Sequence, residues 1–419
     1  MSLRSRLDRL SFPAPAPEPP NLPVVAAPPP TLDSLRQRID ALLSRPSAPR
    51  PVPRVDLGDL PFCVEQTRVG PLHVKTLRLS GAHRVGRFPI TPSRTASAEL
   101  LALLALDPRL ASCDPSRALY LDTETTGLGP GAGTVAFLVG LAFFDERHGL
   151  VVEQLLVREL GEEAPVLERV KERLSQASML VTFNGKSFDM PVLRTRFVMT
   201  RLAQPEEPPH LDLVHVARRL HKARGIGATL GATEREVLGF VRENDVPSGE
   251  VSACYLHFLR TGDPRALLGV VDHNAWDVVS MAALVGLYGE PLEGTELGAQ
   301  DLVGVARTLK RAGKRDEAFE IAARACEAGG GNEALRARAD IAKARGDKAR
   351  ALADFETLAG GTSDPAVRLE LAKLYEHFAK DAARALAVVR EGTGEREERQ
   401  QKRALRLERK VEKQALKLW

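Results

Sequence analysis

Two carboxylates lie two residues apart at the end of an apolar segment. In RALYLDTETTGLGPGA (residues 117–132), Asp122 and Glu124 follow alternating leucines and precede a turn rich in threonine and glycine. Side chains two apart on a β-strand project from the same face, so a strand here would direct both acids at one point. Two such acids repel each other unless a cation lies between them. Alone, the pair is also explained as a solvated strand end.

A third carboxylate, Asp189, stands in FNGKSFDMPVL, just before Pro191. Proline favours the first turn of a helix, which predicts that Asp189 lies at a helix N-terminus. By itself this aspartate would be an N-cap. Asn184 and Lys186, in the turn before it, are candidates for contacting a substrate phosphate, and each is also explained as a residue of the turn.

A fourth carboxylate accompanies a histidine in VVDHNAWDVVSMAALVGLY. His273 and Asp277 are four residues apart in a segment with helical character, so they share one face of the helix. Such a face can present a proton acceptor beside a metal ligand. A solvated or core histidine would be the simpler interpretation if this pair stood alone.

The four acids together predict one metal site, because they come from separate elements that can converge at one end of a sheet. Carboxylate oxygens suit Mg²⁺ or Mn²⁺. Two ions about 4 Å apart would stabilise both the attacking and the leaving oxygens of an in-line phosphoryl displacement. His273 would then deprotonate the attacking water. The predicted ligands are Asp122, Glu124, Asp189 and Asp277.

Three segments resemble the motifs of a known group. LDTETTG, FNGKSFDMPVL and HNAWDVV are similar to those of the four-carboxylate (DEDD) 3′-to-5′ exonuclease superfamily, most closely the YprB-type branch of ribonuclease-H-like domains, over residues 117–289. The resemblance implies metal-ligand roles for the four acids, a water-activating role for His273, and single-stranded 3′ ends as substrate. The superfamily typically has a tyrosine four residues before the last aspartate or a histidine five residues before it; here a histidine stands at the tyrosine distance, as in the YprB type.

The elements around these residues indicate an α/β fold. Two apolar segments (134–144 and 150–157) are typical of an antiparallel hairpin, and an amphipathic helix (162–177) precedes a further strand (178–185). A helix behind Asp189 and another strand near 210 complete the pattern. We expect a ribonuclease-H-like mixed five-stranded sheet with flanking helices over residues 117–290.

The N-terminal part of the chain differs in composition. Of 29 prolines, 13 fall between residues 11 and 53, which predicts a disordered proline-rich arm over residues 1–54. Within it, residues 31–44 have the spacing of a short amphipathic helix. Residues 55–116 alternate in short segments and end in a helical pattern, so we expect a small β/α lead-in.

The C-terminal third contains repeats. Similar segments begin at Gly313, Gly346 and Ala379, 33 residues apart. Over residues 298–393 they resemble tetratricopeptide repeats, an all-α module whose concave face would bind a protein partner; an inert helical extension is the alternative. Residues 394–419 predict a basic helix, for which phosphate contact and simple solvation remain open.

The composition limits the class of protein and the compartment that we expect. The chain has 419 residues, a hydrophobic content of 43% and a net charge of +4, which permits a nucleic-acid partner without requiring one. Four scattered cysteines indicate a reducing compartment. The longest apolar run, residues 134–144, is too short for a membrane-spanning helix, so we expect a cytoplasmic protein.

The functional hypothesis is a metal-dependent 3′-to-5′ exonuclease acting on single-stranded nucleic-acid ends with two Mg²⁺ or Mn²⁺ ions. The alternative is a catalytically idle scaffold that binds protein or nucleic acid. Among weaker candidates, Asp212 is assigned to a strand end or a supporting position, and Trp276 to core packing rather than to stacking on a base.

Overall fold

A seven-stranded mixed sheet forms the centre of the fold, with the strand order β1-β2-β7-β6-β5-β8-β9. The computed structural model describes residues 60–127, 129, 131–145 and 149–416. The strands of the sheet are β1 (Cys63–Thr67), β2 (Gly70–Leu79), β5 (Ala118–Thr125), β6 (Ala136–Asp145), β7 (Gly149–Leu156), β8 (Met179–Thr182) and β9 (His210–Asp212). A separate two-stranded pair consists of β3 (Arg84–Val85) and β4 (Phe88–Pro89).

The predicted mixed sheet with flanking helices is confirmed, and residues 117–290 contribute five strands to it, but the whole sheet has seven because two lead-in strands join it. The predicted antiparallel hairpin is β6 and β7, and the structure adds that β8 and β9 are parallel to their neighbours. The lead-in strand β2 adds to the edge of β7, with Val74 opposite Leu155, and β1 pairs with β2. An edge strand has unpaired backbone groups, and this hairpin satisfies those of β7.

Seven α-helices of the described residues accompany the sheet. They are α1 (Ala98–Ala105), α2 (Ala164–Gln176), α3 (Asp189–Met199), α4 (Leu213–Leu220), α5 (Leu230–Thr233), α6 (Val251–Thr261) and α7 (Arg265–Gly289). Alternate residues of β5 enter different cores: Leu119 and Leu121 pack with α2 and α3, whereas Tyr120 packs with α1, α4 and α7. This alternation decides which helix each polar residue at the end of β5 will meet.

Seven more helices follow. They are α8 (Ala299–Arg311), α9 (Arg315–Glu327), α10 (Gly331–Arg345), α11 (Lys348–Gly361), α12 (Pro365–Leu374), α13 (Ala382–Arg390) and α14 (Glu397–Ala415). Each packs on its neighbour in the chain, and a π-helical turn (Tyr375–Ala379) lies between α12 and α13. Helix α8 also packs on α4 and α1, which joins the helical array to the sheet. Buried residues of α11 to α14, with Ala339 and Ala342 of α10, form a core of their own.

Several predicted features lie outside the described residues. They are the proline-rich arm 1–54 with its helix at 31–44, the first residues of the lead-in, most of the turn between β6 and β7, and residues 417–419. Within the described ranges, no helix has both the length and the apolar character needed to cross a bilayer.

Candidate active site

Asp122 and Glu124 lie at the end of β5 on the face that packs against α7. Asn274 of that helix donates a hydrogen bond from Nδ2 to Asp122 Oδ2 at 2.9 Å. Gln154 on β7 in turn donates to Asn274 Oδ1 at 3.0 Å. Residue 140, opposite Asp122 in the sheet, is glycine, and a Cβ there would collide with the Asn274 side chain. The glycine at position 140 therefore leaves space for the Asn274 amide, which fixes the orientation of Asp122.

Asp189 approaches β5 from the opposite face. It is the first residue of α3, and its Oδ1 accepts from the backbone N and the Oγ1 of Thr123, at 2.9 and 2.6 Å. Thr123 has the alternate orientation to Asp122 and Glu124, so its side chain faces α3. Phe188 occupies the N-cap and makes no side-chain cap bond. Asp189 is thus held by the strand that carries the other acids.

His273 and Asp277 share one face of α7, next to Glu124. His273 Nε2 lies 3.6 Å from Asp277 Oδ2 and 3.9 Å from Glu124 Oε1. One ligand atom from each of these three residues lies within 4.8 Å of the others, close enough to hold a metal ion. His273 Nδ1 donates to Asp245 Oδ1 at 2.6 Å, which fixes the ring with Nε2 facing the acids.

Among the described residues, one arginine enters this cluster. Arg242, in the segment between α5 and α6, forms an ion pair with Asp277 Oδ1 and two hydrogen bonds to Glu234, at 2.7 and 2.8 Å. Its side chain is 8% exposed. Sequence reasoning missed Arg242, Asp245 and Glu234, because nothing in the spacing of VREND indicated that a loop 35 residues before Asp277 folds back onto it. Asn274 was also missed, although it adjoins His273 in the third motif.

The carboxylates of this cluster are crowded. Burial, followed by the charges of Asp277, Glu124 and Asp189, raises the pKa of Asp122 well above its usual range. The pKa of Glu124 is raised in the same way, and the charge of Arg242 opposes that rise only in part. Burial raises the pKa of Asp189 to about 6, against the hydrogen bonds from Thr123. These acids have too little positive charge around them, and hard divalent cations are the chemical partner that fits them.

Asn184 and Lys186 lie in the turn before α3, and Asp212 holds this turn. The backbone N atoms of Asn184 and Lys186 donate to Asp212 at 2.7 and 3.0 Å, and Asp212 also caps α4 through Val214 N at 3.2 Å. Asn184 has a φ of 74°, a conformation that asparagine tolerates. The side chains of Asn184 and Lys186 are exposed, and in the described part of the chain no hydrogen bond links either of them to the four acids. Asp212 is a structural residue of the turn.

The segment that contains the cluster is similar to a known domain. Residues 119–288 match the RNase_H superfamily. The matched residues run from β5 to α7 and include all four acids and His273. A match to this superfamily suggests nuclease-type activity, and nucleases of this kind generally use divalent metals.

A curated relative is also similar. The chain is 40% identical over 168 residues to the uncharacterized protein YprB of Bacillus subtilis (strain 168). The aligned part covers 39% of this chain and 40% of the relative, so the chain spans well under half of the length of the curated protein it matches. The remainder of each protein lies outside this likeness.

Proposed function

We propose that the protein is a metal-dependent exonuclease that hydrolyses phosphodiester bonds from the 3′ ends of single-stranded nucleic acid. One observation carries the proposal: β5, α3 and α7 bring together four carboxylates, and among the described residues one guanidinium, that of Arg242, opposes their mutual repulsion. A fold keeps such a destabilising arrangement where function requires it. The similarity of residues 119–288 to the RNase_H superfamily supports the same chemistry.

The four carboxylates would be the metal ligands in this proposal. Mg²⁺ or Mn²⁺, as two ions, would stabilise the charge that develops on the attacking and leaving oxygens. The side chains of the protein fix the directions of the ligand oxygens: Asn274 orients Asp122, Thr123 orients Asp189, and Arg242 occupies Oδ1 of Asp277 so that Oδ2 faces the cluster. Such supporting contacts commonly decide metal affinity.

His273 would accept the proton of the attacking water at Nε2. The hydrogen bond from Nδ1 to Asp245 holds the tautomer in which Nε2 is free to accept, and the Asp245 carboxylate stabilises the imidazolium that results. Asn184 and Lys186, exposed in the turn before α3, would contact a phosphate of the substrate strand. The 3′-to-5′ direction and the preference for single strands rest on the resemblance of the three motifs.

The helices from α8 to α13 would form tetratricopeptide-like repeats that bind a protein partner. Helices α9, α11 and α13 begin at residues 315, 348 and 382, which keeps the spacing of the sequence repeat. All four cysteines are unpaired, which suits the reducing compartment expected for a cytoplasmic protein.

A second candidate function is a catalytically idle scaffold that binds protein or nucleic acid. The ion pair between Arg242 and Asp277 favours it, because it neutralises one of the four acids with a cation of the chain itself. Metal binding separates the two candidates.

The deciding experiment is hydrolysis of 5′-labelled single-stranded DNA and RNA by the purified protein with Mn²⁺ or Mg²⁺. We expect shortening from the 3′ end, with no reaction when that end is blocked. Asp122→Asn and Asp277→Asn should each lower the rate at least about 100-fold, since an ion at this site supplies several kcal/mol to the transition state. Asp263→Asn is the matched control, because Asp263 lies outside the acid cluster and forms an ion pair with the exposed Arg265, two residues later.

Thermal unfolding provides the second readout. Wild-type protein should be stabilised by Mn²⁺, and the Asp122→Asn and Asp277→Asn variants should lose this stabilisation. His273→Gln should keep it while losing turnover, because the proposed role of His273 is proton transfer. If the wild type shows neither hydrolysis nor carboxylate-dependent stabilisation by Mn²⁺, the nuclease proposal is wrong and the scaffold function replaces it.

A further inference from the structure

A cavity of about 230 Å³ lies beside α7, between that helix and β2. Its lining comes from α7, including Trp276 and Val279, from β2, including Lys75 and Leu77, and from His83 and Phe240. Leu77 is 38% exposed and the Asp272 side chain 61%, so the cavity opens to solvent at this edge.

Trp276 is the largest side chain of the cavity, and its position is fixed. The edge of Phe240 packs against it, with ring centroids 6.4 Å apart at 73°. The guanidinium carbon of Arg242 lies 5.7 Å from the centre of its ring. An aromatic ring held in this way loses little conformational entropy when a planar ligand stacks on it. Trp276 is half-buried, so the core position predicted for it is only partly realised.

The cavity adjoins the acid cluster through shared residues. Trp276 directly precedes Asp277 on α7, and Arg242 contacts both of them, through its ion pair to the aspartate and its position over the indole. The cavity and the proposed metal ligand Asp277 are therefore linked through consecutive residues of α7 and through Arg242.

The chemistry of the walls selects a flat ring with polar edges. The aromatic and aliphatic side chains provide apolar surface, whereas Lys75, His83 and Asp272 provide hydrogen-bonding groups at the margin. Burial lowers the pKa of His83, so at neutral pH its imidazole is uncharged and has one donor and one acceptor. Lys75 Nζ lies 3.9 Å from Asp272 Oδ1, a distance that leaves both groups able to bond a ligand.

We propose that this cavity receives one nucleobase of the substrate strand, stacked on Trp276. The role of the cavity in holding a substrate strand rests on the proposed nuclease function, but binding of a base can be measured without catalysis. Stacking on an aromatic side chain accepts every base, because each has a π-face. A base held here brings its attached phosphates toward the face of α7 that carries His273 and Asp277, so the cavity would position the strand for hydrolysis.

The test uses the intrinsic fluorescence of Trp276. Trp276 and Trp419 are the two tryptophans of the chain, so a Trp419→Phe protein reports on Trp276 alone. Adenosine is the probe, in EDTA, because an uncharged nucleoside avoids repulsion by the metal-free acids. We expect saturable quenching at about millimolar adenosine, as one stacked base provides only a few kcal/mol. Ribose, which lacks the base, should cause no quenching.

Two further variants, both in the Trp419→Phe background, distinguish the cavity from the general surface. Val279→Phe fills the cavity and should weaken adenosine binding at least about 5-fold. Leu268→Phe places the same side chain at an exposed position of α7 away from the cavity, and should leave binding unchanged. Equal quenching by ribose, or adenosine binding that survives Val279→Phe, would overturn the proposal. A protein that binds adenosine but cuts no strand would refute the nuclease function and not the base site.

In an active protein, substrate kinetics provide an independent readout. Trp276→Ala should raise KM for an oligonucleotide about 5- to 100-fold, the range expected for one lost base stack. The KM of Leu268→Ala, a truncation at the exposed position of the same helix, should match that of the wild type. An unchanged KM in Trp276→Ala would count against base binding in the cavity.

Discussion

Two buried carboxylate clusters of this protein have opposite charge balance. In the candidate active site, the part of the chain that the structure describes provides one guanidinium, that of Arg242, for four acids. In the helical array, the carboxylate of Glu376 is fully buried between α12 and α14 and contacts three cations, Arg403, Arg406 and Lys410, at 3.5, 2.7 and 2.7 Å. Both clusters are buried, so burial alone does not distinguish them.

The pKa values follow the number of cations. Burial acts to raise the pKa of Glu376, but hydrogen bonds from Arg406 and Lys410 outweigh it and bring the pKa to about 2. Burial also raises the pKa of Asp122, and there the neighbouring acids add to the rise. Side chains of the protein itself neutralise the Glu376 carboxylate, which is typical of a structural ion-pair network. At Asp122 the chain provides too little positive charge, and this deficit is the reason for proposing bound cations there.

The largest stability effect should come from the neutralised cluster. Glu376→Gln leaves three cations without their carboxylate, so it should reduce the free energy of unfolding by about 2 kcal/mol. This estimate lies below the cost of a fully buried pair because Arg406 and Lys410 are half-exposed. Denaturant unfolding followed by circular dichroism measures it. Glu408→Gln, which breaks an exposed pair between α14 and Arg390 of α13, should cost less than about 0.5 kcal/mol.

In the candidate site, we expect a substitution that removes a carboxylate charge to raise the free energy of unfolding. Asp122→Asn removes one of four repelling charges while keeping an acceptor for Asn274, so it should stabilise the metal-free protein by about 1 kcal/mol. Saturating Mn²⁺ should abolish this greater stability of the variant, because the wild type gains metal-binding free energy that the variant lacks. If Asp122→Asn destabilises the protein in EDTA, the acids are not in mutual repulsion and the contrast between the clusters fails.

The sequence predicts those parts of the site that depend on local periodicity. The two-residue spacing of Asp122 and Glu124 and the four-residue spacing of His273 and Asp277 are sufficient to put each pair on one face of its element. The start of a helix at Asp189 follows from Pro191. These inferences need no knowledge of the neighbouring elements, and the structure brings the resulting side chains to the same end of the sheet.

Features that depend on tertiary contact were not predictable. Arg242 reaches Asp277 across 35 residues, and no period in the sequence encodes that contact. The hairpin of β1 and β2 has alternating residues, but its pairing with β7 is decided by which sheet edge remains open. The basic character of α14 was visible, whereas its partner Glu376, on a π-helical turn 30 residues before Arg406, was not. Ion pairs between residues far apart in the sequence are therefore the main feature that the sequence did not predict.

The pH dependence of stability gives the finest comparison. Glu376 has a folded-state pKa of about 2, below its usual value of 4.5, so its contribution is fully present above pH 4.5 and is lost as the pH falls towards 2. The stability difference between wild type and Glu376→Gln should therefore be constant from pH 7 to pH 5 and should shrink steadily below pH 4.5. Urea unfolding at pH 7, 5, 4 and 3 measures this difference. A difference that stays constant to pH 3 would mean that Glu376 stabilises the array by packing, and the contrast between the two clusters would then not be one of charge.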